Sequence, residues 1–219
     1  MSSSHTTDTS NNEELFARIA TDLQEKGYSI RTHALPEKLA DALLKQLQNK
    51  HLEQLKPAGI GREQHHSTDH SIRSDNIFWI NNDYPAGKDW LIWAEQLQQY
   101  LNRRLFLGLF SFESHFAHYP PGHFYQRHVD TFKGQSNRIL SLVTYLNSDW
   151  TTDDGGELVL YSNSEETLGI KVTPATTTLV IFLSEEFPHE VLPARRDRYS
   201  IAGWFRVNTS TTKKIDPPC

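Results

Sequence analysis

The sequence predicts an α+β chain, mainly β, with helices first and many short strands afterwards. Two observations carry that prediction. Leucine and isoleucine recur every four residues in the first third of the chain, the period of a helix buried along one face. Beyond Phe106 the text turns into short apolar and aromatic runs cut by Pro, Gly and Asp-Gly signals, which read as strands. Helices followed by strands in series point to a sandwich or barrel with helices packed on one face.

The elements follow in order. Residues 1–12 are rich in Ser, Thr and Asn with nothing to bury, so a disordered tail is expected there. This stretch has neither a basic nor an apolar region of the kind a signal peptide needs. In NEELFARIATDLQEKG, Leu15, Ile19 and Leu23 share a face and Gly27 follows as a helix stop. Tyr28 to Arg31 reads as a strand. Pro36 opens a second helix, where a missing N–H costs nothing, and Leu39, Leu43 and Leu47 line it. Residues 57–75 form a long polar loop, a length that usually serves function. Asn76 to Ile80 reads as a strand and Lys88 to Leu105 as a third helix. The later strands are FESHFAHY, FYQRHVD, RILSLVTYLN, ELVLY, ATTTLVIFL and RYSIAGWFRV, with Gly155-Gly156 after Asp153-Asp154 read as a hairpin turn. Residues 209–219 are expected to be a second disordered tail, leaving one domain over 13–208 with a β-core at about 106–206.

Composition narrows the function. The chain has 219 residues, and 11% aromatic content excludes wholesale disorder. A net charge of -5 argues against a nucleic-acid or anionic-membrane partner, since both select a basic surface. The one cysteine is Cys219, which excludes an intrachain disulfide framework or a cysteine-built metal site. The longest apolar runs, such as Leu179 to Leu183, are far too short to span a bilayer. A cytoplasmic protein is the expectation.

The chemistry lies in the β region. His128 and Asp130 are two apart on a predicted strand, so both side chains point the same way and can share one ion. His189, just after the apolar strand 179–183, is the candidate third ligand. Two imidazoles and a carboxylate fill one face of an octahedron and leave positions open, the arrangement of non-haem Fe(II) oxygenases. Arg198, with Ser200 on the same side of the last strand, can grip the far carboxylate of a dicarboxylate by paired charge-assisted bonds. The bland reading makes His128 and Asp130 a surface pair, His189 a loop residue and Arg198 a solvated charge. The joint pattern outweighs it. His65, His66 and His70 sit in the polar loop and read as solvated. His115 shares a strand face with Ala117 and Tyr119 and is expected to be partly buried and hydrogen-bonded. Arg127, Arg195 and Arg196 read as solvated or substrate-facing charges.

HYPPGHFYQRHVD, VTYLNSDW, GGELVLY and HEVLPARRDRYSIAGWF resemble the 2-oxoglutarate- and Fe(II)-dependent dioxygenases, and within them the Egl-nine-type prolyl hydroxylases and their bacterial relatives. SIRSDNIFWI and GYSIRTHALPEKLADALLKQL extend the resemblance over roughly residues 27–206. It implies a double-stranded β-helix of the jelly-roll type. It also implies Fe(II), 2-oxoglutarate and O2 as cofactor and co-substrates, with ascorbate as an accessory reductant. By resemblance His128, Asp130 and His189 match the iron ligands and Arg198 the 2-oxoglutarate anchor. Tyr119 and Tyr145 match tyrosines that bond the co-substrate, and Leu158, Val191 and Trp204 match pocket-lining residues. Arg73 and Asp75 match the segment that covers the substrate. The implied activity is hydroxylation of a prolyl residue in a protein substrate, of which elongation factor Tu is the example that the bacterial resemblance suggests. Three other readings stay open or weighed: a small-molecule or free-amino-acid hydroxylase, a non-catalytic jelly-roll module whose metal is structural, and nucleic-acid demethylation. The last is disfavoured by Trp204, which stands where those enzymes carry a second arginine, and by the acidic charge.

Overall fold

The computed structural model describes residues 5–58, 72–131 and 137–210. Helix α1 (His5–Lys26) buries Phe16, Ile19, Ala20 and Leu23. It reaches back into the stretch whose composition suggested a tail. Once the amphipathic turns are docked, each further polar residue adds a hydrogen bond at little nucleation cost. Residues 1–4 and 211–219 lie outside the described residues, as do 59–71 with His65, His66 and His70. Strand β1 (Tyr28–Arg31) follows. Helix α2 (Glu37–Gln46) starts behind Pro36 and continues as a π turn over Leu47–His51, burying Leu43 and Leu47. After β2 (Lys56–Pro57) and β3 (Asn76–Trp79) comes α3 (Pro85–Leu105), which begins at Pro85 rather than Lys88 because proline fits the first turn of a helix. Its Trp90 and Trp93 stack 5.5 Å apart, and Phe16 meets Trp93 edge-on at 5.5 Å. These contacts join α1 and α3 into one helical layer.

The remaining strands are β4 (Leu109–Tyr119), β5 (Tyr125–His128), β6 (Arg138–Tyr145), β7 (Leu158–Leu160), β8 (Ile170–Val172), β9 (Leu179–Leu183), β10 (His189–Val191) and β11 (Arg198–Val207). They form a seven-stranded sheet in the order β1-β9-β6-β11-β4-β3-β2 and a four-stranded sheet in the order β5-β10-β7-β8. The named strand pairs are all antiparallel, and the two sheets face one another as a jelly roll. Three strands, β2, β8 and β10, go beyond the sequence reading, and His189 lies on β10 instead of in a loop. The Asp153-Asp154-Gly155-Gly156 stretch is not a hairpin. A 3-10 turn over Thr152–Asp154 with a capping box occupies it, because β6 and β7 belong to different sheets and the chain must cross between them.

Alternation sorts the long sheet into two faces. Phe116, Leu140, Leu142, Leu179, Ile181, Ile201 and Phe205 pack in one core with the helices. Ala117, Tyr119, Tyr145, Val180 and Phe182 face the short sheet's Leu158, Leu160 and Val191 in a second core. Central strand β11 serves both, sending Ile201 and Phe205 one way and Arg198 and Ser200 the other. Gly203 is what lets the helical face close: a Cβ there would meet the Phe112 ring at 2.6 Å and the Glu113 carbonyl at 2.9 Å. Phe112 lies 4.5 Å from Phe205 and 5.9 Å from Trp90 between ring centroids, so it has little room to retreat. Gly203→Ala is therefore expected to destabilise the fold by about 1–3 kcal/mol through overpacking, read as a lower urea midpoint at unchanged slope.

Candidate active site

The β5–β10 register sets His189 opposite His128, which brings together two residues far apart in sequence. Their imidazoles and the Asp130 carboxylate place one ligand atom each within 4.8 Å of one another. Asp130 Oδ1 is 3.6 Å from His128 Nε2, and Oδ2 is 3.7 Å from His189 Nε2. Both rings hold a backbone carbonyl through Nδ1: Gln126 O at 2.8 Å for His128 and Phe187 O at 3.1 Å for His189. That bond places the proton on Nδ1 and turns the Nε2 lone pair inward, the usual outer support of a metal-binding imidazole. Ser141 Oγ donates to Asp130 Oδ2 at 2.5 Å and shares a 2.9 Å hydrogen bond with Ser184 Oγ.

Charge follows geometry. Burial opposes ionisation of Asp130, but His189, His128 and the Ser141 hydroxyl outweigh it and hold the carboxyl far below the ordinary range. Burial, helped by His128, pushes His189 down to about 4, so near neutral pH it is an uncharged ligand. A depressed acid beside a neutral imidazole is a donor set for a divalent cation.

The second half of the site lies deeper between the sheets. Arg198 is 1% exposed; its Nε donates to Gly156 O at 2.8 Å and its Nη1 to Ser200 Oγ at 3.2 Å. Its Nη2 and the Tyr145 hydroxyl are buried without a hydrogen-bond partner. Tyr119 stands opposite Arg198 in the β4–β11 register and Tyr145 opposite Ser200 on β6; both rings lie about the guanidinium, 5.0 and 5.1 Å from Cζ. Burial raises Tyr119 and takes Tyr145 to about 12, so both are hydroxyl donors. Gly156 adopts a φ of +72°, and a Cβ there would meet Ala194 Cβ at 2.8 Å and Arg198 Cδ at 3.2 Å. The positive φ and the clash with Ala194 call for glycine, which leaves the Gly156 carbonyl in place for the arginine. Leu158 and Val191 pack with the two tyrosines. A buried guanidinium edge and a buried phenol without hydrogen-bond partners, set beside Tyr119, Leu158 and Val191, fit a carboxylate, so the residues present suit 2-oxoglutarate's far end as well as Fe(II).

The mouth is aromatic and charged. Trp79, 49% exposed, lies 5.2 Å from His115 and 6.5 Å from Trp204. Arg138 covers Trp204 with Cζ 3.7 Å from the ring and is held by Glu113 Oε1 at 2.7 Å. Arg73 forks onto buried Asp75 at 2.5 and 2.9 Å. The other histidine and arginines take structural places: His115 is fully buried, Arg127 lies over Tyr161 with Cζ at 3.3 Å, and Arg196 lies over Trp150 and binds the carbonyls of Ser148 and Asp149. Sequence reasoning missed Ser141, Tyr125, Gly156 and Glu113. Ser141 was within reach, since it interrupts an apolar strand on the same face as Tyr145; Tyr125 and Glu113 carried no comparable signal.

Residues 114–206 match the model of the 2OG-Fe(II) oxygenase superfamily. A solved Pseudomonas putida prolyl-4-hydroxylase is 41% identical, with a TM-score of 0.80 over 88% of this chain and 99% of that one. A Trichoplax adhaerens prolyl hydroxylase, solved with a hypoxia inducible factor oxygen degradation domain peptide fragment, is 28% identical, with a TM-score of 0.80 over 93% and 94%. The Caenorhabditis elegans hypoxia-inducible factor prolyl hydroxylase is 30% identical over 155 residues, 66% of this chain and 21% of that protein. The chain thus spans about a fifth of that curated relative's length.

One titration consequence is testable in the metal-free protein. Burial and nearby Arg73 take His115 down to about 4, and His189 sits as low. Between about pH 6.5 and 4 the unfolded chain takes up protons that the fold refuses, so stability falls as pH drops through that window. The drop is expected to be on the order of a few kcal/mol in urea unfolding, and clearly shallower in His115→Gln.

Proposed function

This chain belongs to the 2OG-Fe(II) oxygenase superfamily, and from that membership we propose that it hydroxylates a prolyl residue in a protein, in the manner of the prolyl 4-hydroxylases it is similar to. The observation that carries the reading is the pairing of a His128–Asp130–His189 cluster with a buried Arg198 whose Nη2, like the Tyr145 hydroxyl, lacks a partner. His128, Asp130 and His189 would hold Fe(II). Arg198, Ser200 and Tyr145 would hold the far carboxylate of 2-oxoglutarate, with Tyr119, Leu158, Val191 and Trp204 walling the pocket. When bound, Fe(II) and 2-oxoglutarate supply the oxidising chemistry: the keto acid and O2 become succinate and CO2 as one oxygen atom enters a substrate C–H bond.

The chain's own residues do the rest. The Nδ1 bonds to Gln126 and Phe187 keep both imidazoles facing the cluster. The Ser141 hydroxyl fixes the Asp130 carboxylate. The apolar walls exclude water from the reacting centre. At the mouth, half-exposed Trp79 beside Trp204 and Arg138 offers a surface suited to a polypeptide, which favours a protein substrate over a free amino acid. In this reading residues 13–208 act as one catalytic unit. No helix among the described residues is long and apolar enough to cross a membrane, and a cytoplasmic setting, consistent with the lone cysteine, completes the proposal.

The test is incubation with Fe(II), 2-oxoglutarate, O2 and a panel of proline-containing peptides, elongation factor Tu segments included. Gain of one oxygen on proline with matching succinate is expected. In Arg198→Ala the 2-oxoglutarate requirement should rise at least about tenfold, since a buried charge-assisted pair is lost. Turnover of 2-oxoglutarate with free amino acids but with no peptide would reject the protein-substrate reading.

A further inference from the structure

We propose that Arg73 is a positioning residue for the metal ligand His128, acting through Tyr125 and Gln126, so that docking of residues 72–75 and metal binding are coupled. The inference rests on the metal reading of His128, Asp130 and His189. The chain that leads into β3 of the long sheet first runs along β5 of the short one. Gln126 N donates to Ile72 O at 2.9 Å and Ser74 N to Phe124 O at 3.2 Å. Phe124 N donates to Ser74 Oγ at 3.0 Å, and His123 Nδ1 contacts Ser74 O at 2.5 Å. These ties set Arg73 opposite Tyr125 as an antiparallel bridge.

From that bridge two routes enter one imidazole. In the first, Arg73 is locked by its fork on buried Asp75, and its Cζ lies 4.7 Å from the centre of the Tyr125 ring. The same ring stacks on His128 at 3.6 Å and 17°. In the second, Gln126, clasped through its N–H by Ile72, presents the carbonyl that takes the His128 Nδ1 hydrogen bond. Ring plane and rotation of His128 are thus both set by residues that segment 72–75 holds in place.

The partner ligand is held differently. His189 bonds Phe187 O and packs edge-on against Phe182 at 4.8 Å, with the His128 ring centre 4.3 Å away. Coupling is therefore expected at one ligand, and linkage makes it reciprocal: whatever seats His128 for a cation is itself stabilised when the cation binds.

The experiment is calorimetric titration of Mn(II) alone into the full chain, without 2-oxoglutarate or turnover. Arg73→Gln and Tyr125→Leu are expected to weaken Mn(II) binding about tenfold, the scale of losing an outer support of a ligand. Arg73→Lys, which keeps a cation over the ring but not the fork on Asp75, should lose about threefold. Arg127→Gln, on the same strand but lying over Tyr161, should bind as the parent does. In the parent, the Ser74 and Gln126 amides should exchange more slowly with deuterium when Mn(II) is bound, a readout that needs no variant to fold. Parent-like affinity in Arg73→Gln and unaltered exchange at those amides, together with loss of binding in His128→Ala, would overturn the coupling and leave the metal site standing. Parent-like binding in His128→Ala would instead remove the metal reading itself.

Discussion

Two charges of opposite sign, one fully and one largely buried, each lacking an oppositely charged Lys, Arg or acid partner among the described residues, are the constraint on which this structure turns. Asp130 is an ionised carboxylate among two imidazoles and a serine hydroxyl, and no Lys or Arg is paired with it among the described residues. Arg198 is a buried guanidinium that contacts a carbonyl and a hydroxyl, and no acid is paired with it among the described residues. An uncompensated buried charge is costly, so a fold keeps one only where a ligand completes it. In the proposed reading a divalent cation would complete the first, and the carboxylate of an acid would complete the second. In that reading one keto diacid, held at one end by the cation and at the other by the guanidinium, would satisfy both.

The jelly roll makes that separation of charge possible. Antiparallel register places His189 opposite His128 across the short sheet, and Tyr119 and Tyr145 beside Arg198 and Ser200 in the long one. β11 divides its side chains, with Ile201 and Phe205 anchoring the helical core while Arg198 and Ser200 line the pocket. Arg198 and Ser200 therefore inherit the rigidity of a central strand packed on both faces, which is what a preorganised site needs.

Much of this was legible in the sequence where the signal is local. Strand alternation puts Arg198 with Ser200, and the strand boundaries of β1 and β11 follow from composition alone. The His128–Asp130 pairing reads as alternation on one strand, whereas β5 ends at His128 and Asp130 reaches the cluster from a bend beyond it. Helical spacing located the buried Leu43 and Leu47. What failed was what depends on distant partners. The Asp153–Gly156 stretch looks like a hairpin until its flanking strands prove to lie in different sheets. β10 is three residues long and exists because β5 and β7 pair with it on either side. Tyr125 and Glu113 act through residues that only the fold brings near, and no periodicity marks them. The start of α1 was missed because its first residues are polar and join a helix whose docking begins later.

The account's central claim is that cation and diacid complete one another. It is tested most directly by titrating 2-oxoglutarate into the protein with and without Mn(II). The two opposite charges predict binding at least about tenfold tighter when the metal is present, a coupling of ordinary size for adjacent sites. Equal affinity in both conditions would show that the carboxylate cluster and the guanidinium do not share a ligand, and would contradict it.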